Sequence, residues 1–313
     1  MPFVVFVLLS VVLLILLSGL LVFILACVRR KEINWLNEDE IKGTHYEKYY
    51  QYILAGERFL KEHNTTTHRI CSDDGLLLYA DFVPAENPRG TIILAHGYRS
   101  NKVLEFGKVF DFYHNKGLNI LAVDQRSHGR SEGKYITFGV KESRDMLGWI
   151  RYHNENLGQY PIILSGLSMG ASTMLYLADA DLPGNVCGII ADCGFTSPKD
   201  IIGTVYRRTT HLPANLSLWA TELFARFLAG FSLTEKDTTK ILANSKVPVM
   251  MVHGVADGFV PCDMTQRGYD ACVGKKTLLL VEGADHGLSF LVDRPRYTQM
   301  VTDFLNENLE DMQ

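Results

Sequence analysis

From Phe3 to Val28 the chain is apolar at almost every position, interrupted only by Ser10, Ser18 and Gly19 and by no charge. Such a run has no polar face to turn toward water. As a helix rising about 1.5 Å per residue it reaches about 39 Å, more than the roughly 30 Å of a bilayer's hydrocarbon core. The pattern predicts one transmembrane helix, an anchor over residues 1–28. A cleaved secretory signal would carry a basic segment ahead of a shorter apolar stretch, and no Lys or Arg precedes this run. A lipid-anchored Cys27 after Leu25-Ala26 fits less well for the same reason. Arg29, Arg30 and Lys31 follow directly. By the positive-inside rule they predict a single-pass membrane protein with its C-terminal side in the cytoplasm.

Beyond the run the pattern changes twice. Residues 29–44 are charged and mixed, which reads as a juxtamembrane linker, and Tyr46–His63 carries Tyr49, Tyr50, Ile53, Leu54 and Leu60 at helical spacing. Residues 29–65 are therefore expected to be linker plus helix. From residue 66 onward short apolar runs alternate with helical patterns. Arg69–Cys71 and Leu76–Val83, joined across Asp73-Asp74-Gly75, read as a hairpin. Thr91–Ala95, Ile120–Val123, Ile162–Leu164, Gly188–Ala191, Val247–Val252 and Thr277–Val281 read as buried parallel strands. Helical patterns occupy Val103–Asn115, Val140–Asn154, Met169–Ala178 and Arg296–Leu309. This rhythm predicts an α/β fold, a doubly wound and mostly parallel sheet over residues 66–313.

One interval breaks the rhythm. About fifty residues separate Asp192 from Val247, where a plain crossover needs only a dozen or so. The extra segment, roughly 197–245, holds Leu216, Trp219, Leu223, Phe224, Phe227 and Phe231 at amphipathic spacing. It reads either as a helix packed on the core or as a cap whose apolar face lines a substrate pocket.

Composition narrows the function classes. Lys and Arg total 31 against 35 Asp and Glu, a net charge of −4. A nucleic-acid binder needs a basic footprint that is missing here. Cys71, Cys187, Cys193, Cys262 and Cys272 show no repeated spacing, which reads as free thiols in a reducing compartment and not as a disulfide framework or zinc site. No phosphate loop or H-E-x-x-H pattern occurs. The sequons at Asn64 and Asn215 matter only in a secretory lumen.

The candidate chemistry begins at Gly166-Leu167-Ser168-Met169-Gly170, a G-x-S-x-G pattern between an expected strand and an expected helix. A serine at the apex of such a turn is a nucleophile elbow. Small residues flank it because the backbone turns too sharply for side chains. The helix N-terminus beneath it favours developing negative charge. Serine needs a base and an acid that orients the base, in the chain order Ser, Asp or Glu, His. Asp257 follows the penultimate strand and His286 follows the last, and loops at the carboxyl ends of parallel strands are where such sheets hold ligands. Ser168, Asp257 and His286 are thus the expected catalytic set. Asp192 is the rival acid. His253 sits too near its strand to reach and reads as a structural imidazole, and Asp263 and Asp285 read as surface or turn residues. The oxyanion donors are expected to be the backbone N–H groups of Met169 and of Tyr98, the latter in His96-Gly97-Tyr98 after an early strand.

Together these residues resemble the α/β-hydrolase superfamily, in its monoacylglycerol-lipase, lysophospholipase and serine-aminopeptidase-like branch. The resemblance covers about residues 66–310 and rests on His96–Tyr98, Gly166–Gly170, Gly254–Pro261 and His286. A fifth element, Asp124–Ser131, is similar to the family's D-x-R-G-H-G-x-S turn, with Ser127 in place of the usual glycine. The resemblance implies structural roles for Asp124 and His128 and no metal or cofactor. The expected activity is that of a membrane-anchored serine hydrolase acting on lipid-like carboxylic esters, its partners a small-molecule acyl ester and the membrane. Two alternatives stand beside it. An aminopeptidase or amidase would need an acid in the cap, such as Glu222 or Glu235, to bind a substrate amine. A non-catalytic membrane scaffold would need none of the triad.

Overall fold

In the computed structural model, which describes residues 2–31, 35–43 and 47–309, the apolar run forms helix α1 (Pro2–Cys27). The expectations for residues 32–34 and 44–46 fall outside the described residues. Short α2 (Glu38–Ile41) and the amphipathic α3 (Tyr50–Glu62) lead into the sheet.

The sheet has eight strands: β1 (Thr66–Cys71), β2 (Leu77–Val83), β3 (Gly90–Ala95), β4 (Leu118–Asp124), β5 (Ile162–Leu167), β6 (Val186–Asp192), β7 (Val249–Gly254) and β8 (Lys276–Val281). Their spatial order is β1-β2-β4-β3-β5-β6-β7-β8. The β1–β2 hairpin and the β2–β4 pair are antiparallel, and every later pair is parallel. The hairpin closes where Gly75 takes a left-handed φ of 85°, the conformation the Asp-Asp-Gly turn requires.

Alternation along each strand divides the core into two layers. Ile92 and Leu94 face one side, with Phe110 and Tyr113 of α5 (Phe110–Asn115) and Val301 and Phe304 of α13 (Arg294–Leu309). Ile93 and Ala95 face the other, with Trp149 of α6 (Val140–Asn156), Met174 of α7 (Met169–Leu175) and Leu242 of α10 (Thr238–Leu242). Strands buried on both faces need not alternate apolar with polar, which is why these runs read as continuously apolar. The helical pattern at 103–115 is split into α4 (Lys102–Phe106) and α5. Gly107 lies at the break, where α3 crosses so closely that a Cβ on Gly107 would lie 3.0 Å from the Gly56 Cα.

A third cluster stands above the sheet. The segment expected as a cap forms α8 (Pro198–Thr210), α9 (Asn215–Phe224), a π turn (Ala225–Ala229) and α10. Phe23 and Cys27 of α1 are buried in this cluster with Ile201, Ile202, Leu218 and Phe231. The C-terminal half of α1 thus lies against the body. Ser18 and Ser217 share a hydroxyl–hydroxyl hydrogen bond of 2.9 Å, and the Thr221 hydroxyl donates to the Gly19 carbonyl at 3.2 Å. The crossing needs glycine at 19, since a Cβ there would lie 2.3 Å from Ala220 Cβ. Small residues and interhelical hydrogen bonds at a close crossing are how helices pack inside membranes. Beyond α1, Val28 bridges to Tyr135 and the Arg29 guanidinium donates to the carbonyls of Ser131 (2.7 Å) and Gly129 (2.8 Å). Arg29 is therefore a structural clamp as well as the first of the basic residues after the apolar run.

The apolar residues of α9 do not line the pocket. Leu216 and Trp219 are 62% and 56% exposed, Phe227 of the π turn is 86% exposed, and the wall is built by α8 and α1 instead. The reason is the crossing itself: Ser217 and Thr221 of α9 face α1, which turns Leu216 and Trp219 outward while Leu218 stays buried.

Candidate active site

The chain reverses its direction of sheet growth at β3, whose neighbours are β4 and β5. Such a switch point opens a crevice beyond the carboxyl ends of the strands. The loops after β3 and β5 both enter it, and they carry His96–Tyr98 and Ser168.

Ser168 sits between β5 and α7 with φ 57° and ψ −118°. A non-glycine residue in that region stores strain of about 1–3 kcal/mol, and the surroundings must hold it there. They do: the Ser168 N–H donates to the Asp192 carbonyl at 2.8 Å, and the Ser168 carbonyl accepts from the Ser172 N–H at 3.1 Å. The flanking glycines have no room for a side chain. A Cβ on Gly166 would lie 2.2 Å from the backbone of Gly170, and one on Gly170 would lie 1.8 Å from the Ala95 carbonyl oxygen.

Ser168, His286 and Asp257 come together. His286 Nε2 lies 2.9 Å from Ser168 Oγ, and Nδ1 lies 2.7 Å from Asp257 Oδ2. The other Asp257 oxygen accepts the N–H groups of Phe259 and Val260, each at 2.8 Å. Burial alone would raise the Asp257 carboxyl. The hydrogen bonds from His253 and His286 outweigh it and hold the group well below the ordinary range, so it is ionised. Asp285 pins the two loops together, accepting from the N–H of Gly258 (2.9 Å) and of His286 (2.7 Å).

The rivals are engaged elsewhere. The Asp192 carboxylate accepts from the Ser289 hydroxyl at 3.3 Å, and burial raises its pKa. Asp263 pairs with Arg267 at the surface. His253 is buried between Thr265 and the Val260 carbonyl, and its Nε2 also lies 3.2 Å from Asp257 Oδ2. Sequence reasoning gave His253 a structural place but missed that it flanks the carboxylate. Its position four residues ahead of Asp257 at a strand end was the signal.

The loop after β3 closes over Ser168. A Cβ on Gly97 would lie 3.1 Å from Ser168 Cβ and 2.7 Å from Glu105 Oε1. The N–H groups of Tyr98 and Met169 donate to no group among the described residues. Glu105, fully buried under the loop, accepts the Gly97 N–H at 2.6 Å, and burial raises its pKa to about 7. No sequence signal marked Glu105, which stands in a helical stretch as an ordinary charge would. The turn expected to be structural ties the loop down. His128 Nε2 accepts the Arg99 N–H at 2.9 Å, while Nδ1 faces the Arg126 carbonyl. Ser127, at the usual glycine position, takes φ 64° and donates to the Tyr135 carbonyl at 2.8 Å. Asp124 pairs with Lys102 and Arg130.

Above Ser168 opens a cavity of about 420 Å³. Its walls are α8, the end of α1, and the side chains of Tyr98, Phe138 and Phe195. Among its described lining residues there is no carboxylate. Glu222 is held by Arg226, Ser232 and the Leu233 N–H, and Glu235 by Arg144, so neither expected amine-binding acid reaches the cavity. Cys193, Asp257 and His286 place donor atoms within 4.8 Å of one another. The carboxylate and imidazole already bind each other, and burial pushes the Cys193 thiol well above its usual range, which disfavours a metal thiolate.

Comparison with known proteins finds related sequences and folds. A family model described as "Serine aminopeptidase, S33" matches residues 86–220. The protein YqkD of Bacillus subtilis (strain 168) is 29% identical over 229 residues, covering 73% of this chain and 74% of that protein. The monoacylglycerol lipase of Mycolicibacterium smegmatis is 29% identical over 119 residues, covering 36% of this chain and 41% of the lipase. Among solved structures, the Pyrococcus furiosus esterase Pf2001 aligns with a TM-score of 0.64 at 23% identity, over 79% of this chain and 94% of the esterase.

Proposed function

We propose that this chain, which has the α/β-hydrolase fold, is a membrane-anchored serine hydrolase that cleaves carboxylic esters carrying an apolar acyl group. The observation that carries the reading is the Asp257–His286–Ser168 relay lying at the floor of a cavity walled by apolar side chains. In this reading the Ser168 hydroxyl attacks the ester carbonyl and His286 Nε2 takes its proton. The tetrahedral oxyanion is held by the N–H groups of Tyr98 and Met169. His286 then returns the proton to the leaving alcohol, and water hydrolyses the acyl-enzyme by the same steps. Asp257 keeps the Nδ1–H tautomer and stabilises the imidazolium. Residues 1–28 are the anchor, residues 29–313 lie on the cytoplasmic side, and residues 197–245 form the cap.

The test uses the full chain in phosphatidylcholine nanodiscs. It measures p-nitrophenyl esters of two to sixteen acyl carbons and an aminoacyl anilide, beside Ser168→Ala. The expected result is ester turnover that falls by about 10⁴-fold or more in the variant. An aminopeptidase is the second reading, favoured by the matching family's description. It would turn over the anilide, but the lack of a carboxylate among the described lining residues leaves a substrate ammonium unpaired. A chain that hydrolyses neither substrate and takes no fluorophosphonate label at Ser168 would be the scaffold.

A further inference from the structure

The cavity runs in a definite direction. Along α8 it is lined by buried Ile201 and Ile202, half-buried Val205 and Tyr206, and exposed Thr209 and Thr210, and Tyr206 and Ser18 both hydrogen-bond the Ser217 hydroxyl. The opposite wall is α1. Ala26, whose carbonyl accepts the Tyr98 hydroxyl at 2.8 Å, stands at the catalytic end, followed by Leu25, Val22, Leu21 and Ser18. The cavity therefore ascends α1 from its C-terminal end toward its middle, over eight residues or about 12 Å.

The length of α1 fixes where this lies against a bilayer. The part ahead of Ser18, Pro2–Leu17, is about 24 Å long, some 6 Å short of the roughly 30 Å hydrocarbon core. A spanning α1 must therefore take part of the segment that packs on α9 into the hydrocarbon. The outer surface of the cap has the matching chemistry: Leu212, Leu216, Trp219, Phe227 and Leu228 are 49–86% exposed. In a soluble domain such a patch would be a liability. Arg29, Arg30 and Lys31 stand at the other end of α1, level with the headgroups.

We propose that the substrate is a membrane-resident ester that enters sideways from the leaflet, its acyl chain lying between α1 and α8 with α1 as one wall of the acyl subsite. This rests on the hydrolase reading above. A lipid in the leaflet already holds its ester near the headgroups and its chain toward the midplane. The cavity holds Ser168 at the α1 end nearest the headgroups and extends toward the midplane, so the lipid reaches the serine without turning over or leaving the bilayer. Tyr98 and Arg99 cap the last carbonyls of α1, at 2.8 Å for Tyr98 to Ala26 and 2.6 Å for Arg99 to Leu25. The same helix thus steadies the loop that carries the proposed oxyanion donor.

Two measurements on the full chain in nanodiscs test this. In the first, Val22→Trp fills the α1 wall, and kcat/KM is compared for p-nitrophenyl palmitate and p-nitrophenyl butyrate. The palmitate-to-butyrate ratio is expected to fall at least about tenfold, in a chain that still labels with fluorophosphonate. An unchanged ratio in a labelled chain overturns the proposal. In the second, the discs are made of phosphatidylcholine brominated on its acyl chains, and tryptophan fluorescence is compared with that in unbrominated discs. Quenching that is lost in Trp219→Phe supports immersion of the cap, whereas equal quenching in both chains overturns it. The second measurement needs no catalysis and no variant at the site. Full activity in Ser168→Ala would instead sink the hydrolase reading itself and leave the quenching result to judge immersion.

Discussion

Asp257 accepts from both His286 and the backbone of its own loop, and it is flanked by buried His253. Replacing it with Asn keeps the shape but offers an N–H where the imidazole needs an acceptor. Turnover of a short ester should then fall by about 10⁴-fold, with fluorophosphonate labelling slowed in parallel. The residues around the loop after β3 make stability depend on pH in opposite senses. Glu105, raised to about 7 from 4.5, keeps its proton in the fold where the unfolded chain has lost it. The native state holds the extra proton between those values, so stability falls as pH rises through them. His96, lowered to about 4 from 6.5 by burial, does the reverse: the unfolded chain holds the extra proton, and stability rises with pH across that window. Burial lowers His128 in the same direction as His96. Glu105→Gln removes only the first contribution. The gain in unfolding free energy from pH 5 to pH 7 should therefore exceed that of the parent chain by on the order of 2 kcal/mol, read from denaturation curves at the two pH values.

At the level of elements, α1 does two jobs with two different faces. Its outward face from Phe3 to Leu14 has the exposed apolar side chains of a lipid-facing helix, while its inner face from Ser18 onward is a packing surface against α9. Gly19→Leu tests the second job. A side chain there meets Ala220 and its backbone within 2.7 Å, so the helices must part. Overpacking of this kind costs about 1–3 kcal/mol. The thermal midpoint in detergent should drop, and the palmitate ester should lose more turnover than the butyrate ester. The expected linker is also an element in its own right. Its first residue, Arg29, donates to the Ser131 carbonyl, and Val28 just ahead of it bridges to Tyr135, so α1 is tied to the body where the linker begins.

For the whole molecule it follows that the apolar helix α1 is part of the folded body. A chain beginning at residue 33 would uncover Phe138, Ile201 and Leu218, which share a cluster with Phe23 and Cys27. Losing one buried Phe contributes about 1.5–3 kcal/mol of instability, and the midpoint should fall by at least about 5 °C relative to the full chain in the same detergent. The sequence alone was enough to read the parallel sheet, because alternation, run length and glycine punctuation are local properties that a strand carries wherever it ends up. It was also enough to place Ser168, Asp257 and His286 in the loops after three strands, which the fold brings together. It did not reveal that Ser18 meets Ser217, that α8 and α1 wall the cavity while Leu216 and Trp219 of α9 turn outward, or that Glu105 supports Gly97 from beneath. Those contacts join residues from separate elements, and no local pattern encodes the distance between them. Tertiary packing decided them, through the few places, Gly19 and Gly97 among them, where a missing side chain lets two backbones come close.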